Sequence, residues 1–130
     1  MRTRKMEQGF TLVEIMILVS IITLLAVITI PNLRHFRMKA NDRLAQATLQ
    51  RISTAAETYK TDHNNAYPAN ENVLTPYLDM AYCAKSPIAG YIYNCSGMST
   101  SGYTITATPV KVGSTGSAAQ AITTGGILNP

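Results

Sequence analysis

The chain has 130 residues, enough for one modest domain and too few for two of ordinary size. It is 46% hydrophobic and 14% charged with no Trp, against roughly 25% charged in ordinary soluble chains, so part of it is not water-facing surface. Lys plus Arg number 11 and Asp plus Glu 7, a net +4 of which Arg2, Arg4, Lys5 and Glu7 supply +2. The rest is too weakly basic to predict a nucleic-acid partner, and Cys83 and Cys95 alone cannot build a four-cysteine zinc site.

The first element is apolar. Residues 15–33 are 19 in a row without a charge, and the run from Phe10 to Pro31 is interrupted only by Glu14. About 20 apolar helical residues, at about 1.5 Å each, cross the roughly 30 Å hydrocarbon layer of a bilayer, so residues 10–33 are expected to form a transmembrane helix. A buried helix of a soluble domain is apolar on one stripe, not all round. After Leu25 the residues read Ala26, Val27, Ile28, Thr29, Ile30, Pro31, with no small-x-small triplet for an ordinary signal peptidase. Arg2, Arg4 and Lys5 precede the segment and Arg34, Arg37, Lys39 and Arg43 follow it, so counting charges alone gives no orientation.

The helical pattern continues beyond it. Leu33, Phe36, Ala40, Leu44, Thr48, Ile52, Ala55 and Tyr59 recur at spacings of three and four with polar residues between them, which predicts one buried face. A single helix over residues 10–60 would be about 76 Å long, more than a bilayer needs, so its second half must pack on protein. Pro31 lacks the N–H that would bond the Val27 carbonyl, which predicts a kink or local melting there. Residues 61–80 read as a polar loop with Pro68 and Pro76 and a short helical turn near 73–78. Tyr91–Tyr93 and Tyr103–Thr108 have strand composition, separated by a turn-like stretch from Ser96 to Gly102, and a third strand is expected around Ala121–Thr124. The predicted class is α+β: one long N-terminal helix packed on a small antiparallel sheet of about three strands.

The string from Lys5 through Gly9, Phe10, Thr11 and Glu14, followed by the apolar run and Pro31, resembles the class III signal of type IV pilins and type II secretion pseudopilins. The resemblance by motif covers about 30 residues; the later helix, loop and strands agree with the pilin fold by layout. It implies that a prepilin peptidase cuts between Gly9 and Phe10, removing a cytoplasmic leader of residues 1–9, and that Phe10 becomes the N-methylated terminus. It implies a transmembrane and filament-core helix over 10–33 and a periplasmic or extracellular head over 34–130. The product would be a homo-oligomeric helical filament built by inner-membrane assembly machinery, its subunits held in membrane lipid beforehand. A pseudopilin of a type II secretion system is the alternative, and a single-pass anchor displaying a small binding domain a lesser one. Thr23 departs from the family, where many pilins carry a Gly that lets the helix melt on assembly. Major pseudopilins usually bind calcium in an acidic C-terminal loop, whereas here Asp79 is the last carboxylate, which favours a pilus subunit.

The chemistry of these residues can be argued independently. Gly9 lets a protease approach the backbone closely, and a basic leader is retained on the cytoplasmic side. Glu14 lies four residues past Phe10, about 6 Å along a helix, where an unpaired carboxylate in lipid costs on the order of 1 to 3 kcal/mol. The expected partner is the Phe10 amine of a neighbouring subunit; the alternative is snorkelling to the interface. With the head outside the cytoplasm, Cys83 and Cys95 are expected to form a disulfide, and the 13-residue loop it closes is worth about 3 kcal/mol. No enzyme, metal or cofactor is expected. His35 and His63 are isolated, Ser99 lacks the flanking glycines of a nucleophile elbow, and Asp62-His63-Asn64-Asn65 continues with Ala66 and Val73 where a calcium loop needs ligands. The seven tyrosines are read as packing residues.

Overall fold

The computed structural model describes residues 9–129; of the leader expected at residues 1–9, all but Gly9 lies outside the described residues. One long helix, α1, spans Leu12–Asp62 with Pro31 inside it. The chain divides into two compact units between Arg34 and His35.

In the first unit α1 is apolar on every side from Ile15 to Leu33 and covered on none. Its large side chains are all exposed, from Leu12 at 76% to Leu33 at 48%. The hydroxyls it carries are satisfied within the helix: Ser20 Oγ donates to the Ile17 carbonyl, Thr23 Oγ1 to those of Val19 and Ser20, and Thr29 Oγ1 to that of Leu25. A helix with its own backbone and side-chain polar groups paired is what a hydrocarbon layer tolerates. Helical conformation continues through Pro31.

In the second unit α1 buries Ala45, Thr48, Leu49, Ile52, Ser53, Ala55 and Ala56 on one face. The stripe expected from the sequence is therefore corrected at one end: Leu33, Phe36 and Leu44 are exposed, at 48%, 60% and 48%. Thr48, Ile52 and Ala55 are buried as expected, and the buried face widens to take in Ala45, Leu49, Ser53 and Ala56. The helix ends where Asn64 and Asn65 adopt positive φ, 50° and 68°, and the Asn65 N–H donates to the Lys60 carbonyl at 3.0 Å. Asn accepts the left-handed conformation better than most residues, which makes it a natural stop.

The intervening loop carries a short 3-10 helix at Glu71–Leu74, capped by Asn70, and the turn expected at 73–78 follows directly, the Tyr77 and Leu78 N–H groups donating to the Leu74 carbonyl at 2.8 and 3.0 Å. The antiparallel sheet has four strands in the order β1 (Tyr91–Ser99), β2 (Gly102–Pro109), β3 (Gln120–Thr123), β4 (Ile127–Asn129). Two differences from expectation have physical causes. The Ser96–Gly102 stretch is mostly strand, because a bulge between Asn94 and Gly97 absorbs the irregular spacing and lets Met98 turn inward. β4 is three residues long, too short for a period-two pattern, and is reached through Gly125 and Gly126, both at positive φ.

Tyr91, Tyr93, Tyr103, Ile105, Ala107 and Ile122 point from the sheet onto Leu49, Ile52 and Ala56, forming one core with Leu74 and Tyr82 from the loop. Alternation along β2 is strict, with Tyr103, Ile105 and Ala107 buried and Thr104 and Thr108 exposed.

Candidate functional site

Gly9 and Phe10 precede the helix, and Phe10 is 76% exposed. No heavy atom lies within 4 Å of where a Cβ on Gly9 would stand. Among the described residues, packing therefore places no demand for glycine at this position. Thr11 and Glu14 hold the first turn by reciprocal bonds: the Glu14 N–H donates to Thr11 Oγ1 at 3.2 Å, and the Thr11 N–H to Glu14 Oε2 at 3.4 Å. This is a capping box, and it puts a carboxylate at the positive end of the helix dipole. Its Thr-x-x-Glu spacing is a sequence signal in its own right, overshadowed by the motif around it. Glu14 thus has a local partner besides the intersubunit one expected from the sequence. Among the described residues Oε1 has no hydrogen-bond donor.

The head is fastened by three polar nodes, each joining α1 or the loop to the sheet. Cys83 and Cys95 are joined by a disulfide with Cα atoms 6.0 Å apart. Beside it the buried Glu71 carboxylate accepts the N–H groups of Cys83 at 2.7 Å and Ala84 at 3.1 Å. Glu71 and the two sulfurs lie within 4.8 Å of one another, but sulfurs bonded to each other are not thiolate ligands.

Glu57 forms the second node. Its Oε1 accepts the Tyr103 hydroxyl at 3.1 Å and the Gly125 N–H at 3.0 Å, and its Oε2 accepts the Tyr67 hydroxyl at 3.3 Å. Tyr103 also shares a 2.7 Å bond with Ser53. One helix residue so ties the loop, β2 and the β3–β4 turn together. Burial, and then the Glu57 carboxylate, push the Tyr103 hydroxyl above its ordinary pKa of 10.0.

Asp42 is the third. Its Oδ1 accepts the Tyr91 hydroxyl at 2.6 Å and the Ser117 N–H at 2.9 Å, while Asn41 Nδ2 donates to the Thr115 carbonyl at 2.9 Å. Burial works to raise the Asp42 pKa, but the bonds from Tyr91 and Ser117 outweigh it and hold the group below 3.8. Tyr91 is pushed well above 10.0, by burial first and by the Asp42 carboxylate second. Gly116 packs against the Tyr91 ring with no room for a Cβ. None of Asp42, Glu57 and Glu71 stands out in the sequence, since a lone acid among polar residues reads as solvated surface.

His63 stacks on Tyr59 with ring centroids 3.8 Å apart and its Nδ1 beside the Tyr59 carbonyl, and His35 is exposed.

The helix entered through the capped turn at Thr11 and Glu14 is long and apolar enough to cross a membrane. The family description "Prokaryotic N-terminal methylation motif" matches residues 4–30. The chain is 42% identical over 67 residues to the type IV wide pilus major component PilA4 of Thermus thermophilus, covering 52% of this chain and 50% of that protein. It is 32% identical over 84 residues to the type II secretion system core protein G of Aeromonas hydrophila, covering 65% and 58%, and 36% identical over 74 residues to the same component of Escherichia coli, covering 57% and 50%. The chain spans about half the length of the curated relatives it matches. It is thus similar, over more than half of its length, both to a type IV pilin and to type II secretion core proteins G, and it carries the N-terminal methylation motif.

Proposed function

We propose that the chain is the structural subunit of a type IV pilus-like helical filament. It is made as an inner-membrane precursor, cut after Gly9 by a prepilin peptidase, methylated on Phe10, and moved by inner-membrane assembly machinery from lipid into a filament of its own copies. The single observation that supports this most is the helix stretch from Ile15 to Leu33, apolar all round and uncovered, behind a methylation motif. Lipid covers such a surface before assembly and neighbouring copies cover it after, so the same residues serve as anchor and as filament core. The head stands in the periplasm before assembly and on the cell surface or in the periplasm afterwards. In the filament Glu14 pairs through Oε1 with the Phe10 amine of a neighbour and sets the axial register, and Pro31 is where α1 loosens. No catalysis is assigned to the chain.

A type II secretion pseudopilin is the second reading, favoured by the greater share of this chain that aligns with core protein G, 65% against 52% for PilA4. Either reading requires the same processing, which mass spectrometry of the mature N-terminus tests: methylated Phe10 is the expected result, and an uncut Met1 or a cut beyond Leu25 overturns both. Gly9→Val is expected to accumulate full-length precursor in the membrane. Glu14→Ala is expected to be cut normally but to yield little sedimentable filament, with Glu14→Gln between it and wild type. Equal filament yield in all three removes the Glu14 pairing. Filaments extending from the cell surface at native expression favour the pilus, and confinement to the periplasm favours the pseudopilin.

A further inference from the structure

Residues 86–130 supply the whole sheet and contain one charged side chain, Lys111. Exposed sheet surfaces and edge strands are ordinarily kept soluble and unpaired by Lys, Glu or Pro. Here the outer face presents Thr104 and Thr108 on β2, and Ile92, 46% exposed, with Asn94 on the edge strand β1.

Asn94-Cys95-Ser96 is the one Asn-x-Ser/Thr triplet in the sequence. Its geometry is specific. The ladder steps from Asn94 opposite Thr106 to Gly97 opposite Thr104, so Cys95 and Ser96 stand in the bulge, outside the register. Asn94 is exposed, and its Oδ1 accepts the Ser96 N–H at 2.8 Å. That bond polarises the carboxamide and eases loss of a proton from Nδ2, which makes no hydrogen bond among the described residues.

We propose that Asn94 is a modification site, the acceptor of an N-linked glycan donated by a lipid-pyrophosphate-linked oligosaccharide. Nδ2 attacks the anomeric carbon of the first sugar, the N–C bond forms, and the C–O bond to the pyrophosphate breaks with the electron pair leaving on the lipid pyrophosphate. The Nδ2 proton passes to a carboxylate of the transferase. The glycan then covers Ile92 and hydrates the charge-poor face. The proposal rests on the reading that the head lies outside the cytoplasm, where such donors are used.

The test is peptide and intact mass analysis of the full chain purified from its own host. The peptide holding Asn94 is expected to carry a sugar mass that peptide-N-glycosidase removes, leaving Asp at that position. Asn94→Gln and Ser96→Ala are expected to lose the mass and Ser96→Thr to keep it, while the Cys83–Cys95 disulfide still forms in all three. Unmodified Asn94 in a chain that is cut at Phe10 and disulfide-bonded overturns the proposal and leaves the functional reading standing. A sugar mass that survives Asn94→Gln also overturns it, by placing the glycan on a hydroxyl. Free thiols with an uncut N-terminus and no sugar overturn the location and the proposal together.

Discussion

The two halves of α1 share one backbone conformation and live in opposite surroundings. Leu18 in the first half is 47% exposed and Leu49 in the second is fully buried, though both are leucines in mid-helix. The first half surrounds itself with Ile, Leu and Val and needs a solvent that is apolar on all sides. The second half alternates small residues, Ala45, Ser53 and Ala56, with Leu49 and Ile52, and needs one partner of fixed shape. Periodicity alone therefore reports secondary structure, whereas the angular width of the apolar surface reports the solvent.

The contrast can be broken most directly by matched truncations. Leu49→Ala is expected to destabilise the head by about 2 to 5 kcal/mol in thermal or denaturant unfolding of the detergent-solubilised chain, because it opens a cavity in the core. Leu18→Ala is expected to change the same transition by less than about 0.5 kcal/mol. Equal losses would show that the two halves unfold as one unit. Next in size is the covalent fastening: replacing Cys83 and Cys95 together by Ser is expected to cost about 3 kcal/mol on the chain-entropy account. Thiol labelling of the denatured, unreduced wild type should find no reactive thiol, and two after reduction; two before reduction would contradict the disulfide.

Glu57→Ala leaves the Gly125 N–H and the Tyr103 hydroxyl without their acceptor, at a cost of about 1 to 3 kcal/mol. Hydrogen exchange should quicken at Gly125 before it does in β1, and unchanged exchange there would mean that the β3–β4 turn is held by the sheet alone.

The smallest effect sharpens the comparison through pH. Asp42 is held below its ordinary value when folded, so its contribution is present above about pH 4 and is lost as pH falls through the folded value. Tyr91 and Tyr103 are held above 10.0, so their contributions are present below pH 10 and are lost as pH rises past it. Head stability should therefore fall on both limbs. Asp42→Asn should lower it by about 1 kcal/mol at neutral pH and flatten the acid limb, as thermal unfolding across pH would register.

Much of this protein is legible in its sequence. The charge-free run of residues 15–33 can only be an apolar helix, because hydropathy and length are properties of a contiguous segment. The pairing of two lone cysteines is legible because it depends on a count, and the proposals for Gly9, Phe10 and Glu14 are drawn from neighbours in the chain. The class, one helix on an antiparallel sheet, follows from composition and alternation. Tertiary structure alone decided where the buried face begins, since Leu44 and Ala45 are equally eligible by period and only Ala45 is buried. It also decided the β1 bulge, the three-residue β4, and the roles of Asp42, Glu57 and Glu71. Their partners, Ser117, Gly125 and Cys83, lie 75, 68 and 12 residues away. Contacts across such separations are set by how the chain closes on itself, and no local pattern encodes them.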